Sequence, residues 1–175
     1  VVELCREVGL FIKMEEHKVV QADVETKSKN SLVSYVDKTA EEKLVKDLAL
    51  FLPEAGFIAE EGTSDKVGDV YNWIIDPLDG TTNFLHGVPT YSVSVALKQN
   101  DKIVLGVVYE VNRDECFYAW EGSNAFLNGD TIKVSSTPKL ADSLIATGFP
   151  YYDYKYLDNY FELLKELAKN TRGVR

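Results

Sequence analysis

The sequence reads WIIDPLDGTTNF from Trp73 to Phe84. The first residues of this stretch are apolar and typical of a strand, which would deliver Asp76 to its carboxyl end. Pro77 lacks an N–H group and ends the regular ladder, and Asp79 follows closely enough for both carboxylates to face one point. Gly80 allows close backbone approach, and the residues after it can begin a short helix whose free N–H groups attract an anion. The stretch therefore predicts two acids beside an anion site.

Two clustered carboxylates repel each other, and one stays protonated unless a cation lies between them. Mg²⁺ suits such a site because it takes few protein ligands and keeps waters and phosphate oxygens. Glu60 and Glu61, in AEEG at the end of the preceding predicted strand, would add a third carboxylate. The alternatives are common ones: Asp-Pro and Asp-Gly form many turns, and an adjacent Glu pair usually lies on a solvated surface.

The patterns on both sides of this stretch predict an α+β fold, an antiparallel meander flanked by helices. Apolar residues at helical spacing predict helices around residues 4–12, over about 39–50 and around 157–168. Thr39-x-x-Glu42 is a candidate capping box for the second helix. Residues 21–36 are mostly polar and predict a loop or a short hairpin. Strands are predicted between the second and last helices, over residues 57–59, 71–76, 91–97, 103–109, 115–120, 131–134 and 143–147.

The net charge of −9 argues against nucleic acid and anionic membranes as partners. The longest apolar runs, such as Ile103 to Tyr109, are too short for a membrane helix, and the acidic opening segment is unlike a signal peptide. A cytoplasmic location is the resulting expectation. Cys5 and Cys116 are predicted to be buried thiols. An acidic protein that binds phosphate needs local positive potential, from backbone N–H groups or from metal ions.

Two other features of the sequence favour structural roles over chemistry. His86 follows the acidic motif, and a lone His near a turn more often makes a structural hydrogen bond than acts as a base. A tyrosine cluster near the end of the chain resembles a base-stacking surface, but it has few basic residues beside it. Packing or a subunit interface is therefore favoured for these residues: Tyr151, Tyr152, Tyr154 and Tyr156.

The combination EEG followed by WIIDPLDGTTNFxHGxP closely resembles the first signature of the inositol monophosphatase family. The similarity continues through SVSVAL, GVVY, AFLNGDTIKVS and ATGFP, and so covers nearly the whole chain. LVSYVDKTAE resembles the family segment whose acidic residue, here Asp37, opens the second helix. The resemblance implies that residues 1–175 form the amino-terminal metal- and phosphate-binding domain of a layered αβαβα fold.

The resemblance implies a metal ligand at each acid of the signature. Glu60, Asp76 and the carbonyl of Leu78 would bind the first metal, and Asp76 and Asp79 would reach the second. The family is magnesium-dependent and lithium-sensitive, so two or three Mg²⁺ per site are expected in an intact enzyme. A metal of this kind lowers the pKa of a water nucleophile and stabilises the leaving oxygen.

The resemblance also implies which residues meet the phosphate and the attacking water. Gly80 and Thr81 would hold the phosphate through their N–H groups, with Glu60 and Asp79 at the same group. Thr81 and Asp37 would form a hydrogen-bonded pair near the water, which Glu60 helps to position. Glu60, Asp37 and Thr81 are therefore the expected catalytic residues. A competing role for Asp37 is that of a helix cap alone.

The function that the resemblance implies is the magnesium-dependent hydrolysis of a small phosphomonoester. The expected reaction converts inositol 1- or 4-monophosphate to myo-inositol and phosphate through a metal-activated water, in a homodimer. Three alternatives belong to the same family: a fructose-1,6-bisphosphatase, a 3′(2′),5′-bisphosphate nucleotidase and an NADP phosphatase. A non-catalytic module that binds metal or partners is an alternative of another class.

The second signature of the family, WDxAxG, is absent from the sequence, as is an initiator Met. By resemblance, that signature would supply one more metal-binding Asp and much of the surface that grips the sugar. We therefore expect the chain to be a piece of a longer protein.

Overall fold

The computed structural model describes residues 1–19, 24–28, 31–150 and 153–175, which form two compact units, Val1–Ile132 and Lys133–Arg175. The first unit contains three helices and nine strands within the described residues: α1 (Val2–Glu15), β1 (Val24–Ser28), β2 (Ser31–Ser34), α2 (Tyr35–Phe51), β3 (Gly56–Ala59), β4 (Tyr71–Asp79), α3 (Thr81–Leu85), β5 (Ser92–Gln99), β6 (Lys102–Glu110), β7 (Glu115–Trp120), β8 (Ala125–Leu127) and β9 (Asp130–Ile132). The second contains a 3-10 turn, Leu140–Asp142, then β10 (Leu144–Ile145), α4 (Leu157–Asn170) and β11 (Gly173–Val174). The predicted α+β class is confirmed.

Seven strands of the first unit form one sheet in the order β3-β4-β5-β6-β7-β8-β9. Every neighbouring pair from β4 to β9 is antiparallel, as the predicted meander requires. The prediction is wrong for β3, which runs parallel to β4. Alternation of apolar residues shows which face of a strand is buried but not which way its neighbour runs. The parallel pair is what brings the ends of β3 and β4 to one edge.

One face of this sheet is covered by α1 and α2, which also pack against each other. Because side chains alternate along each strand, every second residue of β4, β5 and β6 turns toward the helices and leaves water. The inward set from the strands is Trp73, Ile75, Val93, Val95, Val107 and Tyr109, and the helices contribute Leu4, Val8, Ile12, Val36, Leu44 and Leu48. Cys5 and Cys116 are buried in the same core as free thiols, as predicted.

The second helix begins four residues earlier than predicted. Ser34 is its N-cap, and it forms a capping box with Asp37 in which the Ser34 N–H group donates to Asp37 Oδ2 at 2.8 Å. The candidate box at Thr39 and Glu42 is therefore wrong, because both residues lie inside the helix. The pairing of Ser34 with Asp37 uses a shorter acid than the usual Glu, which is why the spacing alone did not single it out.

The polar segment predicted as a loop or hairpin over residues 21–36 contains the antiparallel pair β1 and β2 and the start of α2. Residues 20–23 and 29–30 lie outside the described part of the chain. No helix among the described residues has the length and apolar character needed to cross a bilayer.

The second unit is built around α4 and the short parallel pair β10 and β11. None of the residues of α4 is buried, although its sequence is strongly amphipathic. Phe149 contacts the rings of Tyr160 and Phe161 on this helix. Tyr154 and Tyr156 of the predicted tyrosine cluster are exposed, and Tyr151 and Tyr152 lie outside the described residues.

Candidate active site

The parallel pairing of β3 and β4 places Glu60 beside Asp76. Ala59 is paired with Ile75 at the end of the ladder, and the Glu60 N–H group donates to the Ile75 carbonyl at 3.2 Å. Glu60 and Asp76 are thus the next residues after the last paired position of two strands that run in the same direction. The ends of parallel strands meet at one edge of a sheet, so two acids far apart in sequence leave this edge side by side.

A β-bulge in β4 brings Asp79 to the same face as Asp76. Asp76 pairs with Ser94 and Asp79 with Ser92, so three steps along β4 match two steps along β5. In a regular strand, residues three apart point to opposite faces. The extra residue of the bulge resets the alternation. The spacing D-P-L-D therefore presents both carboxylates on one face, which the sequence predicted without the bulge.

The acids at this edge lie close enough together to perturb the protonation of Asp76. Burial, the charge of Glu60, a hydrogen bond with Glu60 and the charge of Asp79 together raise the pKa of Asp76 to about 8. The Leu78 N–H group, which donates to Asp76 Oδ1 at 3.2 Å, works against this rise. Asp76 therefore keeps its proton near neutral pH as the three acids stand, and Glu60 is the neighbour that matters most.

The donors at this edge fit a hard cation in their chemistry. They are the carboxylates of Glu60, Asp76 and Asp79 and the main-chain carbonyl of Leu78, all of them oxygen ligands of the kind that Mg²⁺ prefers. Among the described residues, no three His, Cys, Asp or Glu side chains are arranged tightly enough to enclose an ion as they stand. Glu60 and Asp79 are exposed, so both side chains have room to turn toward a cation. A cation would offset both the burial and the repulsion that raise the pKa of Asp76.

Thr81 connects this acidic edge to α2. Its hydroxyl lies 2.8 Å from Asp37 Oδ1 and 3.0 Å from the carbonyl oxygen of Leu78. A hydroxyl has one proton, so Thr81 donates to one of these acceptors at a time, and its own oxygen lone pairs remain to accept a further bond. The predicted pairing of Thr81 with Asp37 is thus present in the structure.

Asp37 both caps α2 and contacts the site. Its Oδ2 accepts from the N–H and the hydroxyl of Ser34, each at 2.8 Å, while Oδ1 accepts from Thr81. The two roles that the sequence left as alternatives use different oxygens of one buried carboxylate. Capping alone does not account for the contacts of Asp37.

Gly80 is required by the backbone at the start of α3. Its φ is +97°, in the left-handed region, and a Cβ there would lie 3.0 Å from the Thr90 carbonyl oxygen and 3.3 Å from the Tyr91 Cα. The ring of Phe84 packs edge-on against that of Tyr91, with centroids 5.4 Å apart, and holds α3 against this backbone. The turn that offers its N–H groups beside the acids is therefore closely packed.

Sequence reasoning missed Glu41, a fully buried acid on α2. Its carboxylate accepts from the N–H groups of Glu61 and Thr63, in the loop that follows Glu60. The only sequence signal was its position one helical turn after Asp37. His86 has the structural role predicted for it: its Nδ1 lies 2.8 Å from the carbonyl oxygen of Thr82.

The sequence model of the family described as "Inositol monophosphatase family" matches the chain over residues 1–175. The chain belongs to the inositol monophosphatase family. This is a family of phosphatases, generally metal-dependent, and its mixed α and β fold is the fold described above.

Relatives in this family are known under more than one name. The chain is 36% identical to a fructose-1,6-bisphosphatase/inositol-1-monophosphatase of Thermotoga maritima, over 99% of the chain and 64% of the relative. It is 37% identical to the Nus factor SuhB of Pseudomonas aeruginosa, over 98% of the chain and 65% of the relative. A crystal structure of the extragenic suppressor protein suhB of Bartonella henselae superposes with a TM-score of 0.90 at 36% identity, over 99% of the chain and 67% of that structure. The chain thus spans about two thirds of the length of these family members.

Proposed function

We propose that the protein hydrolyses a small phosphomonoester in a magnesium-dependent reaction, with inositol 1- or 4-monophosphate as substrate and myo-inositol and phosphate as products. The observation that carries this proposal is that Glu60 and Asp79 both interact with Asp76 at one sheet edge, beside the bond between Thr81 and Asp37. Family membership supports the reaction class, and the name of the Thermotoga maritima relative, which includes inositol-1-monophosphatase, supports the substrate.

The phosphate would bind at the turn between β4 and α3. The N–H groups of Gly80 and Thr81 stand at the start of α3, where backbone donors have no partner in the helix itself. These N–H groups would hold phosphate oxygens, with Glu60 and Asp79 placed at the same group. In a chain with a net charge of −9 such backbone donors are needed, because side-chain charge alone would repel the substrate.

The attacking water would be held by Thr81 and Glu60. When the Thr81 hydroxyl donates to Asp37 Oδ1, its oxygen is left to accept a hydrogen bond from the water. A proton leaving the water can pass to the Thr81 oxygen as the hydroxyl proton moves to Asp37. Glu60, directly after β3, would orient the same water from the other side. General-base help of this kind is worth about 10²–10⁴-fold in rate.

Two magnesium ions would complete the site. Glu60, Asp76 and the Leu78 carbonyl would hold one, and Asp76 with Asp79 would reach the other. Bound magnesium supplies positive charge that acidifies a water and neutralises the phosphoryl group in transit. Lithium inhibition, the homodimer and the cytoplasmic location stay predictions of the family resemblance and the sequence.

The choice of substrate is open to a direct test with the full-length protein. Inositol 1-phosphate, fructose 1,6-bisphosphate, a 3′,5′-bisphosphate nucleotide and NADP would be assayed for phosphate release, with Mg²⁺ and with a chelator in its place. We expect the highest kcat/KM for inositol 1-phosphate, and loss of activity in the chelator. A higher kcat/KM for fructose 1,6-bisphosphate would show that this compound is the preferred substrate and would leave the reaction class unchanged. The name of the Thermotoga maritima relative includes both activities.

The second candidate function is a non-catalytic module that acts by binding a partner. The relative named as a Nus factor is the observation that favours it. A full-length protein that releases no phosphate from any of the four substrates, yet folds and binds Mg²⁺, would support this second candidate.

A further inference from the structure

Glu41 is a fully buried acid that the proposed reaction does not use. It lies in the middle of α2, with buried Ala40 and Leu44 as neighbours on the helix. Removing a carboxylate from water costs several kcal/mol unless it is hydrogen-bonded or paired. A buried acid at this position therefore needs a compensating structure around it.

That compensation comes from one loop. Glu41 Oε2 accepts from the Glu61 N–H group at 2.7 Å, and Oε1 accepts from the N–H and the hydroxyl of Thr63, each at 2.9 Å. Hydrogen bonds to an ionised acceptor are roughly twice as strong as neutral ones. All three donors belong to the segment that directly follows β3. The Glu41 carboxylate therefore anchors this loop to α2, mainly through the loop's backbone.

The loop is thereby held on both sides of Glu60. The N–H group of Glu60 donates to Ile75 of β4, and the next N–H group, that of Glu61, donates to Glu41. These two N–H groups belong to the peptide planes before and after the Glu60 Cα, so fixing them fixes the direction of the Glu60 Cα–Cβ bond, from which the side chain extends. Glu60 itself is exposed and would otherwise be free to point away from Asp76.

The same helix holds the other loop of the site. Asp37 and Glu41 are four residues apart on α2, and residues at this spacing lie on one face of a helix. Asp37 binds Thr81 of the turn after β4, while Glu41 binds the loop after β3. One rigid face of α2 therefore sets the position of both loops relative to each other.

We propose that Glu41 is a positioning residue, which holds the loop after β3 so that Glu60 faces the metal edge of the site. The link to metal binding rests on the proposed function, whereas the loop contacts do not. Removing a residue that orients a metal ligand without touching the metal itself typically weakens metal affinity by about 10–100-fold.

The test uses full-length protein with Glu41→Gln, and Glu42→Gln as the matched control, since Glu42 is the exposed neighbour on the same helix. Glutamine keeps the shape but leaves one acceptor oxygen for three donors, and its NH₂ group would face an N–H group. Amide hydrogen exchange of Glu61 and Thr63 is measured without Mg²⁺ or substrate. We expect exchange at one or both amides to be at least about tenfold faster in Glu41→Gln, and unchanged in Glu42→Gln.

The second readout is the affinity for Mg²⁺ measured by calorimetry, which we expect Glu41→Gln to weaken by about 10–100-fold. Saturating Mg²⁺ should then restore most of kcat. Wild-type exchange rates in Glu41→Gln would overturn the positioning role, even if the protein proved to bind no Mg²⁺ and to have no phosphatase activity. Faster exchange with unchanged Mg²⁺ affinity would overturn the link to the metal.

A second variant, which keeps the Glu41 carboxylate, provides the test in case Glu41→Gln does not fold. Thr63→Val removes only the hydroxyl donor to Glu41 and is close to isosteric. If Glu41→Gln does not fold, Thr63→Val should show faster exchange at the amide of residue 63 and weaker Mg²⁺ binding than wild type. Values equal to wild type in both measurements would then overturn the proposal.

Discussion

The hydroxyl oxygen of Thr81 lies 2.8 Å from Oδ1 of Asp37, although 44 positions separate the two residues in the chain. The other oxygen of Asp37 caps α2 through Ser34. The start of α2 and the turn after β4 are therefore held by the same carboxylate. Substitutions of Thr81 and of Asp37 should consequently differ in their effects on activity and on stability.

Thr81→Ala should remove activity while keeping most of the stability. The substitution deletes the hydroxyl that would hold the attacking water, and a loss of about 100-fold or more in kcat/KM is expected. The cap of α2 remains, because Ser34 still bonds Asp37. Thr81→Ser restores the hydroxyl and should recover most of the activity. Equal activity in Thr81→Ala and wild type would remove Thr81 from the mechanism.

Asp37→Ala should lose both properties. Without its carboxylate the buried N–H and hydroxyl groups of Ser34 lose their acceptor, which costs about 1–3 kcal/mol of stability, and Thr81 loses its acceptor as well. Urea denaturation of the Asp37→Ala and Thr81→Ala proteins measures the difference. We expect Asp37→Ala to be the less stable of the two, and the reverse order would show that the cap contributes little.

The raised pKa of Asp76 predicts a pH dependence of stability in the metal-free protein. A carboxyl group whose pKa is about 8 when folded binds more protons folded than unfolded between roughly pH 4 and pH 8. Its contribution is therefore present at low pH and is lost as pH rises toward 8. Asp76→Asn should flatten this fall, and Mg²⁺ should reverse it. Identical profiles of stability against pH for wild type and Asp76→Asn would contradict the inference that Asp76 is protonated near neutral pH.

Gly80→Ala should destabilise the protein and remove activity. An alanine at φ +97° is strained, by about 1–3 kcal/mol, and its Cβ would also approach the Thr90 carbonyl at 3.0 Å. Gly122→Ala is the matched control, because Gly122 also has positive φ but a Cβ there meets no atom within 4 Å. Chemical denaturation should show a larger loss for Gly80→Ala, and equal losses would mean that the packing on Thr90 carries no cost.

Residues 1–175 alone should have little or no phosphatase activity, even at saturating Mg²⁺. The family resemblance places a further metal-binding Asp in the signature WDxAxG, which this sequence lacks. Residues that position the sugar would be missing with it, and positioning can supply about 7–11 kcal/mol of barrier lowering. An assay of the 175-residue chain beside the longest native form decides this, and comparable kcat/KM values would overturn the prediction.

The sequence indicated which acids come close together, but not the strand arrangement that brings them together. Asp76 and Asp79 could be assigned from one motif, because the strand, the Pro and the Gly are local signals. The parallel direction of β3 and the bulge in β4 depend on pairing with distant residues, which a local pattern does not encode. Both decide where the acids point.

Glu41 could not be found from the sequence for a related reason. A single Glu on a helix is usually solvated, and only its burial under the loop after β3 shows that it binds backbone. The start of α2 was placed late because its capping box pairs Ser34 with Asp37, a shorter acid than the usual Glu. A local sequence pattern is least informative for residues such as Asp37 and Glu41, whose partners include residues distant in the sequence.

The kcat/KM of full-length Asp79→Asn for inositol 1-phosphate in the presence of Mg²⁺ tests most directly whether the acidic edge is the active site. Asp101→Asn is the control, because Asp101 is fully exposed in the turn at the other end of β5 from Ser92, the partner of Asp79. We expect a loss of at least about 100-fold for Asp79→Asn, with unchanged folding and with wild-type activity in Asp101→Asn. Wild-type turnover in Asp79→Asn would contradict it.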